Sequence, residues 1–553
     1  MLSFLTQNGF LYERIQVRMG IYVNPGKRMF SDAVHDDIYI DKTGLIAHIN
    51  RRIRKTSRYL CVSRPRRFGK SMAADMLTAY YSKGCDSADL FSGLEIEKES
   101  SYKDHLNKYN VLRIDVQQFI TSRKEIEIFI ENIRSAVIDE LMEEFPDCKD
   151  IDKNISLQMA FNKIFSSTGE GFIFIIDEWD CVFRFAQNNS EIQIEYLDFL
   201  RGLFKGAIYA DLVYMTGIFP IKKYGEHSAL NIFEEYSMTN SWELSTYFGF
   251  TENEVKEECE KRNIDFNKMS KWYDGYILED ENSYKHIYNP RSAVCALMRN
   301  RFESYWTGTE TYEALKIYIE KDFEGLKAAV VEMLGGGRCQ VNTRSFQNDM
   351  TSLKSKDDVI SLLIHLGYLA YDSKTKEAFI PNLEISQEFA AVTQSPEWGN
   401  LFESIRRSDE LLKRTWAMDE KAVAAGIALS RQDISSIINY NDENALSFAV
   451  YAAYSSALAY YMKPIREFPS GRGFADLVYL PRRGENKPAM IIELKWNKNT
   501  KGAINQIKTK QYADWIKEYT GDILLIGISY DKKTDTHNCL IEKEKIKITR
   551  RNR

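Results

Sequence analysis

Unbroken apolar runs separated by helical periodicities organise the first half of the chain. The run SRYLCVS (57–63) predicts a buried strand, which passes through the loop RPRRFGKS into a helical pattern, MAADMLTAYY. Upstream, YIDKTGLIAHI from Tyr39 reads as a strand end leading into a helix. VLRIDV (111–116) predicts another strand, and residues 124–165 carry helical periodicity with acidic and apolar faces. FIFIID (172–177) and ADLVYMTGIF (210–219) are further buried runs. Apolar strands alternating with helices predict a parallel sheet covered on both faces. From about 245 to 435 the pattern turns mostly helical, with GFTENEVKEEC and ISLLIHLGYLAYD as the clearest elements. Gly335, Gly336 and Gly337 interrupt it and read as a loop, since no Lys-Ser/Thr follows and no strong apolar strand precedes. The last stretch runs helix (NALSFAVYAAYSSALAYYM), strand (FADLVYL, 474–480), strand (AMIIELKW, 489–496), helix (about 503–517) and strand (DILLIGISY, 522–530). That order predicts a small α/β domain. The expected division is a lead-in at 1–18, an α/β unit at 19–245, a helical middle at 246–435 and a second α/β unit at 436–553.

Composition narrows this picture. A chain of 553 residues exceeds one compact domain, and roughly two to four units are expected. A net charge of −5 excludes a global positive field, so any contact with nucleic acid must be local. The eight cysteines form no CxxC pair and no zinc-type spacing, which suits a reducing compartment. No apolar run reaches the roughly 18 to 20 residues of a membrane span, and the N-terminal segment is broken by Gln, Asn, Glu and Arg. A soluble cytoplasmic protein without membrane contact is the expectation.

Candidate chemistry gathers at two places. Arg64-Pro65-Arg66-Arg67-Phe68-Gly69-Lys70-Ser71 lies between a predicted strand and a predicted helix, the context of a phosphate-binding loop. A helix N-terminus offers unpaired N–H groups and a positive dipole end to phosphate oxygens. Gly69 permits close backbone approach, Lys70 reaches the β- and γ-phosphates, and Ser71 can ligate Mg²⁺. Arg64 occupies the position of the first glycine in the strict GxxxxGK[ST] pattern. The second half of the constellation is Asp177-Glu178 at the tip of the strand FIFIID. Asp177 can hold Mg²⁺ and Glu178 can polarise the attacking water in phosphoryl transfer, with Asp180 a further charge nearby. Two readings stand for Thr216, a polar sensor of the γ-phosphate or a turn at a strand end. Two also stand for Arg66 and Arg67, phosphate contacts or solvated cations.

The second place is Asp476 followed by Glu493-x-Lys495. Alternate residues of a strand share a face, so Glu493 and Lys495 project together, and a hairpin through PRRGENKP would bring Asp476 to them. Asp476 and Glu493 then suit one or two Mg²⁺ ions, or Mn²⁺, and Lys495 the orientation of an attacking water. A charged Glu-x-Lys in an apolar strand needs such a partner, because an uncompensated buried carboxylate is expensive. Arg482, Arg483, Lys498, Lys501, Lys508 and Lys510 can meet a phosphate backbone or simply face solvent.

RPRRFGKS, IDEWD, TGIF, WYDGY (272–276), YNPRS (288–292) and YWTGT (305–309) occur in the order seen in the AAA-ATPase-like family, which this chain resembles from about residue 19 to 530. Members of that family commonly carry a C-terminal PD-(D/E)XK domain, and their phosphate loop begins RPRR. The resemblance implies a P-loop NTPase with a parallel sheet, a helical or winged-helix-like middle and a restriction-endonuclease-like α/β domain. It implies ATP and Mg²⁺ as cofactors and nucleic acid, DNA or RNA, as partner, with a homo-oligomer also possible in such an architecture. It adds Gln506 to the catalytic group and points to Tyr512 on the same helix and to Glu443 as an accessory acid. Leu446 and Ser447 stand where the family often has Tyr-His. Two functions remain open at this stage: an ATP-hydrolysing protein with a metal-dependent nuclease, or a nucleotide-dependent switch that binds nucleic acid without cutting it.

Overall fold

The computed structural model of the chain describes residues 20–120, 125–186, 189–221, 230–280, 283–306, 326–334, 337–346, 353, 355–392, 407–434, 443–454, 456–457, 460–462, 465–470, 473–481, 485–509 and 522–545. Arg482, Arg483, Lys510, Tyr512, Gly335 and Gly336 lie outside these, and Gly337 stands in a loop.

The first sheet contains β1 (Tyr59–Ser63), β2 (Asn110–Asp115), β3 (Phe172–Asp177), β4 (Ala210–Gly217) and β5 (Glu234–Tyr236) in the order β2-β3-β4-β1-β5. Every pairing is parallel. Alternation along the strands sends Tyr59, Leu112, Phe174 and Met215 to one face, against α3 (Phe129–Glu144), α4 (Leu157–Thr168) and α5 (Ser190–Phe204). Leu60, Val111, Ile173 and Tyr214 go to the other, against α1 (Gly44–Asn50) and α2 (Lys70–Tyr81). Burial on both faces is what the continuous apolar runs require. Tyr39 belongs to no strand; the chain there is irregular before α1.

The register aligns the carboxyl ends of the strands. Ser63 of β1 pairs with Gly217 of β4, and Ile176 of β3 with Met215 of β4. The loop after β1 and the acids after β3 therefore open on the same edge, with β4 between them. In open parallel sheets ligands bind at that edge.

The middle region is rich in helices, as expected: α6 (Glu252–Arg262) and α8 (Lys356–Leu366) fall on the two named patterns, and α7 (Pro290–Arg299) and α9 (Leu383–Val392) add to them. It also holds two small antiparallel sheets that periodicity did not reveal. One is β6 (Phe250–Thr251), β7 (Tyr276–Asp280) and β8 (Ser283–Tyr288); the other is β9 (Cys339–Gln340), β10 (Ala370–Asp372) and β11 (Glu377–Phe379). ISLLIHLGYLAYD is thus a helix and a strand, separated by Gly367 at φ +86°.

The last sheet has the order β12 (Ile465–Ser470), β13 (Gly473–Tyr479), β14 (Ala489–Trp496), β15 (Asp522–Asp531), β16 (Thr536–Lys545). Only β14 and β15 are parallel, joined across the helix α12 (Thr500–Thr509). One face packs on α10 (Glu420–Ile434) and α11 (Glu443–Ala453), the other on Ile504 and Ile507 of α12. All eight cysteines are free thiols. Among the described residues no helix is long and apolar enough to cross a membrane.

Candidate functional site

Gly69 caps the N-terminus of α2 in the left-handed conformation, φ +87°, where a side chain would be strained. A Cβ at Gly69 would meet nothing within 4 Å, so the backbone N–H groups of the first turn are open to a ligand. Above them lies a cavity of about 620 Å³ bordered by Arg66, Gly69, Lys70, Ser71 and Glu178. Its wall also includes Phe30, Ile38, Tyr39, Met76 and Tyr247, which sequence reasoning did not single out. A volume of that order is typical of small-molecule sites. Loop donors, a lysine and apolar wall together fit a nucleotide.

Lys70 is buried, and its Nζ donates to the carbonyl of Pro65 at 3.0 Å. Burial pulls its ammonium below its usual pKa, while Glu178 and Asp177 pull the other way. The loop lysine therefore lies within electrostatic reach of both strand-tip acids. Glu178 holds φ +51°, a left-handed backbone that is uncommon for a non-glycine and typical of functional turns. Burial would raise its carboxyl, but Lys70 and Arg184 outweigh it and keep the group below the ordinary glutamate range. Arg184 donates to Glu178 directly. Asp177 is buried and takes a hydrogen bond from Arg113 at 3.1 Å, the same guanidinium that reaches Asp75 at 3.2 Å. Arg113 interrupts the apolar run VLRIDV between Leu112 and Ile114, and that buried-strand cation was the available sequence signal for it.

Several expected contacts take other roles. Arg64 is fully buried and donates to the carbonyls of Ser63 and Tyr236, both at 2.9 Å, with Leu244 at 3.5 Å. Phe68 borders the cavity, but its ring is fully buried edge-on to Tyr276, centroids 5.2 Å apart. Thr216 is buried and does not border the cavity; its carbonyl accepts from the N–H of Trp179. Asp180 is also buried: its Oδ2 accepts from Ile218 at 3.1 Å and Phe219 at 2.9 Å, tying the turn after β3 to the end of β4. Arg67 borders the cavity and donates to the carbonyl of Tyr305 at 2.8 Å.

In the last sheet β13 and β14 pair antiparallel, with Leu477 opposite Ile492. One step further along that register sets Asp476 opposite Glu493, and Asp476 Oδ2 accepts from the N–H of Leu494 at 2.7 Å. Glu493 is 1 % exposed, and Lys495 Nζ donates to its Oε1 at 3.0 Å. The two acids and the lysine thus share one face of the hairpin. Glu493 lies beside Gly527 of β15, where a Cβ would come within 2.9 Å of the Thr500 carbonyl and 3.0 Å of Ala503. The absent side chain lets the start of α12 lie close to this region. Gln506 is half-buried on α12, beside Ile507. Glu443 opens α11. Two carboxylates close together are hard oxygen donors that fit Mg²⁺ or Mn²⁺. Among the described residues no group of three His, Cys, Asp or Glu side chains gathers at either site, so waters and phosphate oxygens would complete the shell, as is usual for Mg²⁺.

The fold and the two sites define a class: a P-loop core and a nuclease-type core carried on one chain. Comparison with protein families agrees, since the model described as "Predicted AAA-ATPase" matches residues 28–225 and that of the PD-(D/E)XK nuclease superfamily matches residues 441–539. The chain joins an AAA-ATPase-like unit to a PD-(D/E)XK nuclease-superfamily unit. An "Uncharacterized protein in vnfD 5'region" of Azotobacter chroococcum mcd 1 is 26% identical over 293 residues, 50% of this chain and 52% of the relative. The chain spans about half the length of that curated relative.

Proposed function

We propose that the chain binds and hydrolyses ATP in its first unit, cuts phosphodiester bonds of DNA or RNA in its last, and uses nucleotide turnover to gate the cut through the middle region. The units are taken as 19–245, 246–435 and 436–553, with α10 at the end of the middle stretch packed on the last sheet, and the setting is a soluble cytoplasmic protein. The observation that supports this best is that two acidic pairs, one at the end of β3 and one within the β13–β14 hairpin, each with its own lysine, stand on separate sheets of one chain.

In the first unit the N–H groups of the loop and Lys70 bind the β- and γ-phosphates, with Arg66 adding positive charge. Ser71 and Asp177 hold Mg²⁺, and Arg113 fixes the orientation of Asp177. Glu178 orients the attacking water, its own pose set by Arg184. In the last unit Asp476 and Glu493 would hold the ion, Lys495 orients the attacking water, and Gln506 of α12 is assigned to the catalytic group by the family resemblance. When bound, Mg²⁺ or Mn²⁺ supplies charge neutralisation at phosphate and a more acidic water. Burial of Glu493 strengthens its attraction for a divalent cation relative to a solvated carboxylate.

A screen of single- and double-stranded DNA and RNA, with Mg²⁺ or Mn²⁺ and with or without ATP, tests this reading. Products should form with at least one substrate and increase or decrease with ATP. Retention of labelled nucleic acid with no product under any divalent metal would favour a binding switch instead.

A further inference from the structure

Parts of three motifs of the middle region take no part in the chemistry above, yet Tyr276 of WYDGY and Tyr305 and Trp306 of YWTGT lie against the phosphate-binding loop, and Pro290 and Arg291 of YNPRS border the cavity. Arg67, held at φ +69°, donates to the carbonyl of Tyr305. Pro65 and the Trp306 ring meet at Gly367, where a Cβ would fall 2.8 Å from the one and 3.0 Å from the other. Tyr276 packs against Phe68, and its hydroxyl donates to the Gly367 carbonyl at 2.6 Å. The Tyr273 hydroxyl donates to the carbonyl of Glu303 at 2.8 Å and accepts from its N–H at 3.1 Å.

Behind this segment stands Glu384 of α9, 1 % exposed. Its Oε1 accepts from the N–H of Tyr305 at 2.7 Å and from the Ser292 hydroxyl at 3.0 Å. Ser292 belongs to α7, whose Pro290, Arg291 and Val294 border the nucleotide cavity. Near it on α9, Glu388 accepts from the Ser304 hydroxyl at 2.7 Å.

We propose that Glu384 is a positioning residue for the nucleotide cavity: one buried carboxylate fixes both the Tyr305 segment that holds Arg67 and the helix that forms another part of the wall. Neither part can shift far without breaking a buried hydrogen bond, and leaving such a donor unmet is costly. Occupancy of the cavity and the pose of the middle region are thereby linked. The inference rests on the reading that this cavity takes ATP.

The test combines titration of Mg²⁺-ATP into the full chain with hydrogen exchange at residues 289–294 and 303–306. ATP should slow exchange in both segments of the wild type. Glu384→Ala should weaken ATP binding by about tenfold or more and remove that slowing, and Glu384→Gln, which keeps an acceptor oxygen, should restore both. If Glu384→Ala does not fold, Ser292→Ala cuts one arm alone: slowing should be lost at 289–294 and persist at 303–306. Alanine variants of either residue that fold and match wild-type affinity and exchange overturn the proposal. A wild type that binds ATP with no exchange response at 303–306 also overturns it, whereas a wild type that binds no ATP overturns the nucleotide reading itself.

Discussion

Arg64 shows how a departure from a motif acquires a physical reason. In the strict phosphate-loop pattern its position belongs to glycine, and from the sequence it had a family precedent but no physical reason. Folded, it is a buried cation, pulled down to about 10 by burial, and its hydrogen bonds tie the loop's first residue to β5 and the turn near Leu244. Its guanidinium also lies 5.4 Å from the Phe248 ring centroid. No local signal could have revealed partners some 170 or more positions away. Arg64→Gly, which restores the strict pattern, should therefore lower stability by about 2–4 kcal/mol, through the cavity it leaves and the carbonyls it strands. Urea unfolding would measure this, and an unchanged midpoint would contradict it. Gly69, Lys70 and Ser71, by contrast, were legible directly, because the chemistry of a phosphate cradle is local to one strand-loop-helix junction. Thr216 is a contrasting case: sequence gives the end of a strand but not the surroundings of its side chain, which is buried.

Elements were legible in proportion to how much apolar surface they bury. FIFIID, ADLVYMTG and AMIIELKW announce themselves because both faces of each strand are covered. The edges were not. β5 is three residues long, β12 contains Pro469 and β16 reads THNCLIEKEK, so none carries a strand-like apolar pattern. The helix-to-wall arrangement around Glu384 was equally hidden, since it depends on α7 and α9 packing together. That arrangement has a pH signature. Burial pushes the Glu384 carboxyl up from 4.5 to about 7, with Glu388 adding to it, while Ser292 and the Tyr305 and Trp306 N–H groups oppose. Between those values the folded chain keeps a proton that the unfolded chain has lost. Stability therefore falls as pH rises through this window, by about 3 kcal/mol from this group, and levels off above it. Glu384→Gln removes the titration. Denaturant midpoints at pH 5 and pH 8 should show the variant gaining on the wild type at the higher pH; an equal difference at both would refute the assignment.

At the scale of the molecule, the loop that would hold phosphate is packed between two bodies of structure. On one side Arg64 anchors it to the parallel sheet; on the other Pro65, Arg67 and Phe68 contact Gly367, Tyr305 and Tyr276 of the middle region. A loop held this way cannot change pose without moving its neighbours, which is what the proposed gating would require. The acidic hairpin of the last unit is built independently, on its own sheet with its own core. Two sites on separate cores should be separable by single substitutions. The direct measurement is ATP hydrolysis and nucleic-acid cleavage by the full chain with Mg²⁺, compared for wild type, Lys70→Ala and Asp476→Ala. The account predicts that Lys70→Ala lowers ATP turnover about 100-fold or more and abolishes the effect of ATP on cleavage, while Asp476→Ala loses cleavage to a similar degree and hydrolyses ATP normally. Cleavage by Asp476→Ala at the wild-type rate, or undiminished ATP turnover by Lys70→Ala, would contradict it.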